Sequence, residues 1–259
     1  MSNAGTNPFS VAGRIAMVTG GSRGIGLAAA RALGQNGARV ILAARSEDTL
    51  RTAAENMRAE GIEAEWSVMD LGQPERIGEW FAECSGRLGR PEILVNAAGI
   101  TRRGAATDLT LEDWNATMAV NATSAFELSR CFARTLIAAG QPGKVINIAS
   151  LMTAAARRGT SAYTASKGAI GQLTKALAVD WAPHGILVNA VAPGYIETEL
   201  TEVLQADPQF DTWVKQRCPL GRWGKPVDVA WPIVFLASPA SDFMTGQVIF
   251  VDGGWLATF

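Results

Sequence analysis

A tyrosine and a lysine four residues apart form the first pair in this sequence that could do chemistry. Tyr163 and Lys167 lie in the segment SAYTASKGAIGQ, and the chain has only two tyrosines among its 259 residues. Positions i and i+4 share one face of a helix, so the ammonium group can lie beside the phenol. A nearby cation lowers a pKa that is about 10 in a free tyrosine. The pair therefore predicts proton exchange with a substrate alcohol, although a chance pair of polar residues would have the same spacing.

Two further polar residues are candidates for the same chemistry. Ser150 ends the apolar run KVINIAS, so its hydroxyl is expected at the carboxyl end of a strand, where it can hydrogen-bond a reacting carbonyl oxygen. Asn121 lies inside a predicted helix over 111–140, and asparagine is only a modest helix former. By itself, Asn121 is explained better by a structural contact than by catalysis.

The segments that must position these residues alternate between apolar runs and alanine-rich or leucine-rich helices. Several runs are apolar on both alternating faces, which is typical of parallel strands that helices cover on both sides. The alternation predicts a single α/β domain over 1–259, built as a doubly wound, seven-stranded parallel sheet with helices on both faces. Strands are expected at 14–20, 38–45, 63–70, 92–99, 144–150, 186–194 and 247–254.

The segment 195–226 interrupts this alternation before the last strand. In doubly wound sheets, ligands lie beyond the carboxyl ends of the strands. The segment follows such an end, so it predicts a substrate lid, with a simple surface excursion as the alternative.

A glycine-rich turn, VTGGSRGIG, follows the first predicted strand and opens a helix. Gly20, Gly24 and Gly26 have the spacing GxxxGxG, which differs from the common GxGxxG of dinucleotide-binding proteins. Glycines allow a tight turn and let a pyrophosphate approach the backbone and the helix N-terminus. The turn therefore predicts a nucleotide site, although a tight turn without a ligand fits the same residues.

The end of the second predicted strand favours NADP(H) as the cofactor. A site for NAD usually has an acidic residue there, which binds the ribose 2′-hydroxyl. Here Ala44 takes that place and Arg45 follows it, while Arg23 lies in the glycine turn. Two guanidinium groups can bind a 2′-phosphate. Solvated surface charges are the alternative interpretation.

Composition excludes several classes of function. The formal net charge is −1 and no basic patch is present, so no nucleic-acid partner is expected. No apolar run reaches the length of a signal peptide or a membrane span, so neither is expected. Cys84, Cys131 and Cys218 are widely spaced, which favours free thiols in a reducing compartment such as the cytoplasm. No cluster of potential ligands predicts a metal.

Taken together, these motifs resemble the short-chain dehydrogenase/reductase family from about Gly13 to Gly254. The pieces that occur in the order and spacing of that family are TGGSRGIG, MDL, NAAG, Asn121, Ser150, YTASK and PGYIET. The resemblance implies a Rossmann fold in which Ser150 orients the substrate and Tyr163 is the acid/base. It also implies that Lys167 holds the ribose and lowers the tyrosine pKa, and that Asn121 supports a water-linked proton relay.

The resemblance further implies a set of cofactor-binding residues along the carboxyl ends of the strands. Asp70 and Leu71 are expected at the adenine, and Ile196 and Thr198 at the carboxamide. The family's usual NNAG is NAAG here, and we expect the lost polar contact at Ala97 to have little effect. The complete expected set is Gly20, Ser22, Arg23, Gly24, Ile25, Gly26, Arg45, Ser46, Asp70, Leu71, Asn96, Ala97, Gly99, Tyr163, Lys167, Pro193, Gly194, Ile196 and Thr198.

The substrate is predicted from arginines near the expected active site. Arg102 and Arg103 follow the fourth strand, and Arg157 lies between Ser150 and Tyr163. Arginines there could clamp a carboxylate, and Ser150 would contact the same substrate. Exposed loop arginines with no ligand are the alternative.

Within the family, the segments GITRR, NIASL and 193–226 are most similar to gluconate 5-dehydrogenases and related keto-sugar-acid reductases. The leading expectation is therefore NADP-dependent hydride transfer between the nicotinamide and a secondary alcohol or ketone of a sugar acid. A 3-oxoacyl-[acyl-carrier-protein] reductase and a non-catalytic NADP-binding regulatory protein are the alternatives. The resemblance also implies a homotetramer.

Overall fold

Residues 7–258 are described by a computed structural model, in which seven strands form one parallel sheet. The strand order is β3-β2-β1-β4-β5-β6-β7, and every neighbouring pair is parallel. This confirms the predicted sheet; residues 1–6 and 259 of the predicted domain lie outside the described residues. The strands are β1 Ile15–Thr19, β2 Arg39–Ala44, β3 Ala64–Val68, β4 Ile93–Asn96, β5 Gly143–Ile148, β6 Ile186–Pro193 and β7 Val248–Val251.

Helices cover both faces of the sheet because alternate strand residues point to opposite sides. In β1, Ala16 and Val18 pack in a core with α1, α2 and α9, whereas Met17 packs in a second core with α3, α5 and α6. None of the helices in residues 7–258 combines the length and the apolar character that a membrane crossing requires. The helices are α1 Gly24–Gln35, α2 Glu47–Ala59, α3 Ile77–Leu88, α4 Leu111–Met118, α5 Ser124–Ala139, α6 Ser161–Trp181, α7 Glu202–Gln205, α8 Pro208–Arg217 and α9 Pro226–Ala237.

The strands that lead to the site are shorter than their apolar runs predict. The run 92–99 forms a strand only as far as Asn96, because the backbone N–H groups of Ala97 and Ala98 donate to the Thr19 hydroxyl instead of to the ladder, at 3.0 and 3.2 Å. Likewise, β5 ends at Ile148, and Ser150 starts a separate turn. Both strands therefore end before the residues that their apolar runs predict, and the chain leaves the sheet at Ala97 and before Ser150.

The single helix expected over 111–140 is interrupted. Helices α4 and α5 are joined by a π-helical turn at Ala119–Thr123, which contains Asn121. Such turns are often found at functional sites. The wider turn is what brings the Asn121 side chain into the interior, where it is 2% exposed.

The segment 195–226 forms α7 and α8, and backbone contacts join its two ends into a base. The backbone of Ile196 bridges to that of Gly224, and Gly224 N donates to Tyr195 O at 2.8 Å. Above this base, the ring of Tyr195 lies 4.8–5.9 Å, between ring centroids, from four other aromatic rings: Phe210, Trp213, Trp223 and Trp255. The segment is thus held against the sheet by an aromatic cluster centred on Tyr195.

Candidate active site

Ser150 and Tyr163 meet beyond the carboxyl end of β5. Ser150 caps the short turn Leu151–Thr153, and its hydroxyl accepts a hydrogen bond from Met152 N at 3.2 Å. Tyr163 lies in the first turn of α6 and lines the same cavity as Ser150, whose hydroxyl lowers the pKa of the phenol. A strand end and a helix start therefore bring the two residues to one cavity.

The Lys167 ammonium group is buried beneath Tyr163. Its Nζ lies 5.7 Å from the centroid of the Tyr163 ring and donates to Ile148 O at 2.6 Å. The residue is 5% exposed, and burial lowers the pKa of Lys167 to about 8. One donor of the ammonium group is used by the strand backbone, so two remain for other partners.

Burial and neighbouring groups act in opposite directions on Tyr163. Burial raises the pKa of its phenol, while the hydroxyl of Ser150 and the charge of Arg103 lower it. The sequence did not indicate that Arg103 would act on the tyrosine. This guanidinium group is a second cation near Tyr163, besides the Lys167 ammonium group.

Asn121 ties three segments together. Its Nδ2 donates to Ile100 O at 2.9 Å and to Ser166 Oγ at 3.0 Å, and its Oδ1 accepts from Ile100 N at 2.8 Å. A Cβ at Gly99 would lie 3.5 Å from that Oδ1 and 3.9 Å from Lys167 Nζ. Both amide hydrogens are thus used within the protein, and the side chain fixes the position of α6 relative to the loop after β4.

The glycine turn after β1 can accept a pyrophosphate. Gly20 and Gly24 have φ of +62° and +53°, where a side chain would be strained, and a Cβ at Gly26 would lie only 2.2 Å from Gly20 O. Helix α1 begins at Gly24 without a side-chain cap and without an acidic residue in its first turn. An uncapped N-terminus behind a glycine cradle fits an anionic group such as a dinucleotide pyrophosphate.

The end of β2 lies next to this turn. Gly21 N donates to Ala43 O at 3.4 Å, which connects the two segments. Arg23, Arg45 and Ser46 are exposed, and within residues 7–258 neither arginine forms an ion pair. Both guanidinium groups therefore remain available at this end of the cleft.

Several residues of the expected cofactor set have side chains that are committed elsewhere. Asn96 donates both amide hydrogens inside the fold, to Ser129 Oγ and to Asn147 Oδ1. Leu71 and Ile196 are 6% and 4% exposed and belong to the apolar cores. Contacts with a cofactor at these three positions would have to come from the backbone.

The rest of that set lies along the cleft. Asp70 accepts from Gly72 N at 3.0 Å in the loop after β3. Thr198 packs against the glycine turn, since a Cβ at Gly24 would lie 3.4 Å from its methyl group. A Cβ at Gly194 would lie 2.8 Å from Asp252 Cα, so only glycine fits directly after Pro193. Segment 195–226 thus reaches from the glycine turn to the tyrosine.

A cavity beside Tyr163 contains two of the three predicted substrate arginines. Arg103 and Arg157 line it from loops that touch where Gly104 N donates to Gly159 O at 3.2 Å. Its remaining lining residues contain no acidic side chain; they are Thr101, Ser150, Leu151, Met152, Thr160, Tyr163, Gly194, Tyr195, Leu200, Thr201 and Leu204.

Arg102 is placed differently from the sequence expectation. It does not line this cavity, and its Nε lies 3.5 Å from Asp113 Oδ1 at the start of α4. Consecutive side chains in an irregular loop point in different directions, so only one of the neighbouring arginines faces the cavity. The partner of Arg102 is a carboxylate of the protein.

Sequence reasoning missed two residues of this site. Thr19 holds the end of β4 with its hydroxyl, and Tyr195 lines the same cavity as Tyr163. A signal existed for each: Thr19 directly precedes the glycine turn, and Tyr195 is the second of only two tyrosines.

A glycine turn that fits a pyrophosphate and a tyrosine–lysine pair in one cleft are features of α/β oxidoreductases. A family model described as enoyl-(acyl carrier protein) reductase matches residues 20–256. The chain belongs to the short-chain dehydrogenase/reductase family.

Several similar proteins carry the names of sugar-acid enzymes. A gluconate 5-dehydrogenase of Gluconobacter oxydans is 42% identical, covering 95% of this chain and 96% of the relative. A 5-keto-D-gluconate 5-reductase of Escherichia coli is 38% identical over 96% and 97% of the two chains. The crystal structure of a gluconate 5-dehydrogenase from Burkholderia cenocepacia in complex with NADP and tartrate is 42% identical, with a TM-score of 0.94 over 98% and 99% of the chains.

The buried ammonium group predicts a pH dependence of stability. The pKa of Lys167 is about 8 in the folded protein and about 10.4 in an unfolded chain, so between these values the unfolded state binds more protons. The free energy of unfolding therefore gains about 2 kcal/mol from Lys167 between pH 8 and pH 10. Lys167→Met should lack this gain, as measured by urea unfolding at fixed protein concentration.

Lys175, which is exposed on the same helix, provides the matched control. Lys175→Met should keep the wild-type difference between the two pH values. A difference between wild type and Lys167→Met that stays constant from pH 8 to pH 10 would contradict the burial of a titrating ammonium group.

Proposed function

We propose that this protein is an NADP(H)-dependent oxidoreductase that interconverts a secondary alcohol and a ketone of a sugar acid of the gluconate/5-ketogluconate type. The observation that carries the proposal is the cavity beside Tyr163, in which two guanidinium groups have no acidic partner among the lining residues. Two guanidinium groups without an acidic partner in the cavity, next to a proton-transferring hydroxyl, suit a substrate that has both a carboxylate and a carbonyl or alcohol group.

In the proposed mechanism, the protein moves a proton and orients the substrate. When bound, the nicotinamide supplies or accepts the hydride. In reduction, Ser150 hydrogen-bonds the ketone oxygen and Tyr163 donates its phenolic proton to that oxygen, so the ketone gains one hydride and one proton and becomes the alcohol. In oxidation, Tyr163 accepts the proton of the alcohol. The position of both residues in the lining of one cavity supports these roles.

Lys167 and Asn121 act on the cofactor and the proton path. We assign the two free donors of the Lys167 ammonium group to the ribose hydroxyls. Its charge also favours the phenolate form of Tyr163 in the loaded enzyme. Asn121 supports the water-linked relay by holding Ile100 and α6 in place, because both hydrogens of its amide are already used.

The glycine turn and the two exposed arginines define the proposed cofactor site. The pyrophosphate lies on the uncapped N-terminus of α1, and Arg23 and Arg45 bind the ribose 2′-phosphate. No carboxylate occupies the end of β2, where Ala44 stands, so a 2′-phosphate meets no repulsion there.

The two alternative functions are less well supported. The family model carries the name of an acyl-carrier-protein enzyme, but the motifs it shares with this chain do not select the substrate. An acyl thioester would leave the Arg103 and Arg157 pair without an anion in the cavity. A non-catalytic protein would not need Ser150, Tyr163 and Lys167 together, and all three are assembled.

We further propose a single catalytic domain in which the segment 195–226 is the substrate lid. A homotetramer is supported by two groups of exposed apolar side chains, one on α4, α5 and α6 and one around α9 and β7. These are Leu111, Trp114, Phe126, Ile137 and Val179, and Trp231, Phe243 and Phe250. The three free cysteines fit a location in the cytoplasm.

A substrate screen with both cofactors tests the function. We expect NADPH to reduce 5-ketogluconate, and NADP to oxidise gluconate and 2-deoxygluconate, with higher kcat/KM than acetoacetyl thioesters. A clear preference for the thioesters would favour the carrier-protein alternative. No turnover of any carbonyl compound would favour the regulatory alternative.

Tyr163→Phe should abolish turnover while cofactor binding stays within about twofold of wild type. Loss of an acid/base group reduces kcat by about 10²–10⁴-fold. Steady-state kinetics and NADPH fluorescence titration measure the two effects, and Ser161→Ala at the exposed start of α6 is the control. If Tyr163→Phe keeps substantial activity, the acid/base assignment is wrong.

Arg45→Asp should shift the cofactor preference towards NAD(H). The new carboxylate would repel the 2′-phosphate and could accept a hydrogen bond from a ribose 2′-hydroxyl. We expect the ratio of kcat/KM for NADP to that for NAD to fall by about tenfold or more, which corresponds to about 1.4 kcal/mol. Arg51→Asp makes the same charge change on the exposed face of α2 and should leave the ratio unchanged. An unchanged ratio in Arg45→Asp would refute the 2′-phosphate site.

A further inference from the structure

Tyr195 lines the same cavity as Tyr163, although it comes from a different part of the fold. It follows β6 and is the second of the two tyrosines in the chain. Its ring is packed edge-on against Phe210, Trp213 and Trp223, with interplanar angles of 69–82°. A ring fixed on several sides holds its hydroxyl in one position at little entropic cost on binding.

Two arginines of the same cavity lie close enough to Tyr195 to act on its phenol. Burial raises the pKa of its phenol, and the charges of Arg157 and Arg103 lower it. The phenol is therefore protonated at neutral pH and is a hydrogen-bond donor. Within residues 7–258 the Tyr195 hydroxyl has no hydrogen-bond partner, which leaves the donor available in the cavity.

The two arginines of the cavity differ in the phenols on which they act. The charge of Arg103 acts on both phenols, whereas that of Arg157 acts on Tyr195. The guanidinium carbon of Arg157 lies 5.0 Å from the centroid of the Phe210 ring, which is itself packed on Tyr195. Arg157 and Tyr195 thus lie close together in the lining of the cavity.

We propose that the Tyr195 hydroxyl is a specificity-determining donor that binds the substrate carboxylate together with Arg157, while Ser150 and Tyr163 hold the reacting oxygen. This inference rests on the proposed function, because it concerns the recognition of the acid group in the same cavity. In a sugar acid the carboxylate and the reacting carbon belong to one short chain, so a single ligand can offer both groups to the lining of this cavity.

Tyr195→Phe removes the hydroxyl and keeps the ring in the aromatic cluster. The hydrogen bond to the charged carboxylate is lost, so we expect KM for 5-ketogluconate to rise about tenfold or more while kcat changes less than about twofold. Binding is measured separately by calorimetry on the NADPH-loaded enzyme with gluconate, which cannot react with a reduced cofactor. D-Glucitol is the neutral counterpart, since it carries a hydroxymethyl group in place of the carboxylate.

The selectivity ratio decides between acid recognition and general packing. We expect the Kd of gluconate to rise about tenfold in Tyr195→Phe and the Kd of glucitol to stay within about twofold. Trp213→Phe alters a neighbour of Tyr195 that does not line the cavity, so it should leave both constants near their wild-type values. Unchanged constants for gluconate, or an equal loss for gluconate and glucitol, would overturn the inference.

The failure of this inference can be distinguished from the failure of the proposed function. If the wild-type enzyme turns over the sugar acids and Tyr195→Phe does so with the same KM, only the role of Tyr195 is refuted. If the wild-type enzyme neither turns over nor binds the sugar acids, the proposed function and the inference are both refuted.

Discussion

All seven strands pair in parallel, so their carboxyl ends lie along one edge of the sheet, and that constraint places every group of the cleft. The glycine turn follows β1, the arginine loops follow β4 and β5, and the aromatic segment follows β6. Groups that are far apart in the chain therefore meet without long loops. The same constraint explains the tight backbone at this edge, where glycines stand at positions that a Cβ would fill.

Hydrogen bonds inside the fold stiffen this edge from below. Asn96 donates to Asn147, which donates to Thr174 on α6, and Lys167 on the same helix donates to the end of β5. A buried polar group is costly unless it is paired, and these groups are paired with each other across β4, β5 and α6. The helix that carries Tyr163 is thereby hydrogen-bonded to β5, and through Asn147 it is connected to β4. These bonds hold the Tyr163 side chain in a fixed position relative to the sheet.

Periodicity and spacing predicted most of the fold and the centre of the site. Apolar runs identified the seven strands, and the glycine turn, Ser150, Tyr163 and Lys167 follow from residue type and from positions at strand ends. Short-range rules do not report where a strand stops when a distant side chain captures its N–H groups, as Thr19 does with Ala97. For the same reason, the rules gave one helix over 111–140, whereas Asn121 bonds to Ile100 within a π-helical turn.

Side-chain direction in loops was the other limit. Arg102 and Arg103 are equivalent in sequence, but Arg102 pairs with Asp113 and Arg103 enters the cavity, and only the folded loop distinguishes them. Asn96 is expected to line the cofactor, and the folded structure adds that its amide donates to Ser129 and Asn147. Tyr195 went unnoticed because its position depends on a cluster of rings from three separate segments of the chain.

Two effects disfavour the charged state of Arg103 in the cavity. Burial lowers the pKa of Arg103, and so does the nearby charge of Arg157, so keeping both guanidinium groups charged here is unfavourable without an anion. A carboxylate that enters the cavity relieves the repulsion between the cations and pairs groups that are otherwise only partly solvated. A neutral ligand of the same shape would neither relieve the repulsion between the cations nor pair their charges. The binding free energy of a carboxylate would therefore be more favourable than that of a neutral ligand. This difference selects the acid at the binding step, before any chemistry begins.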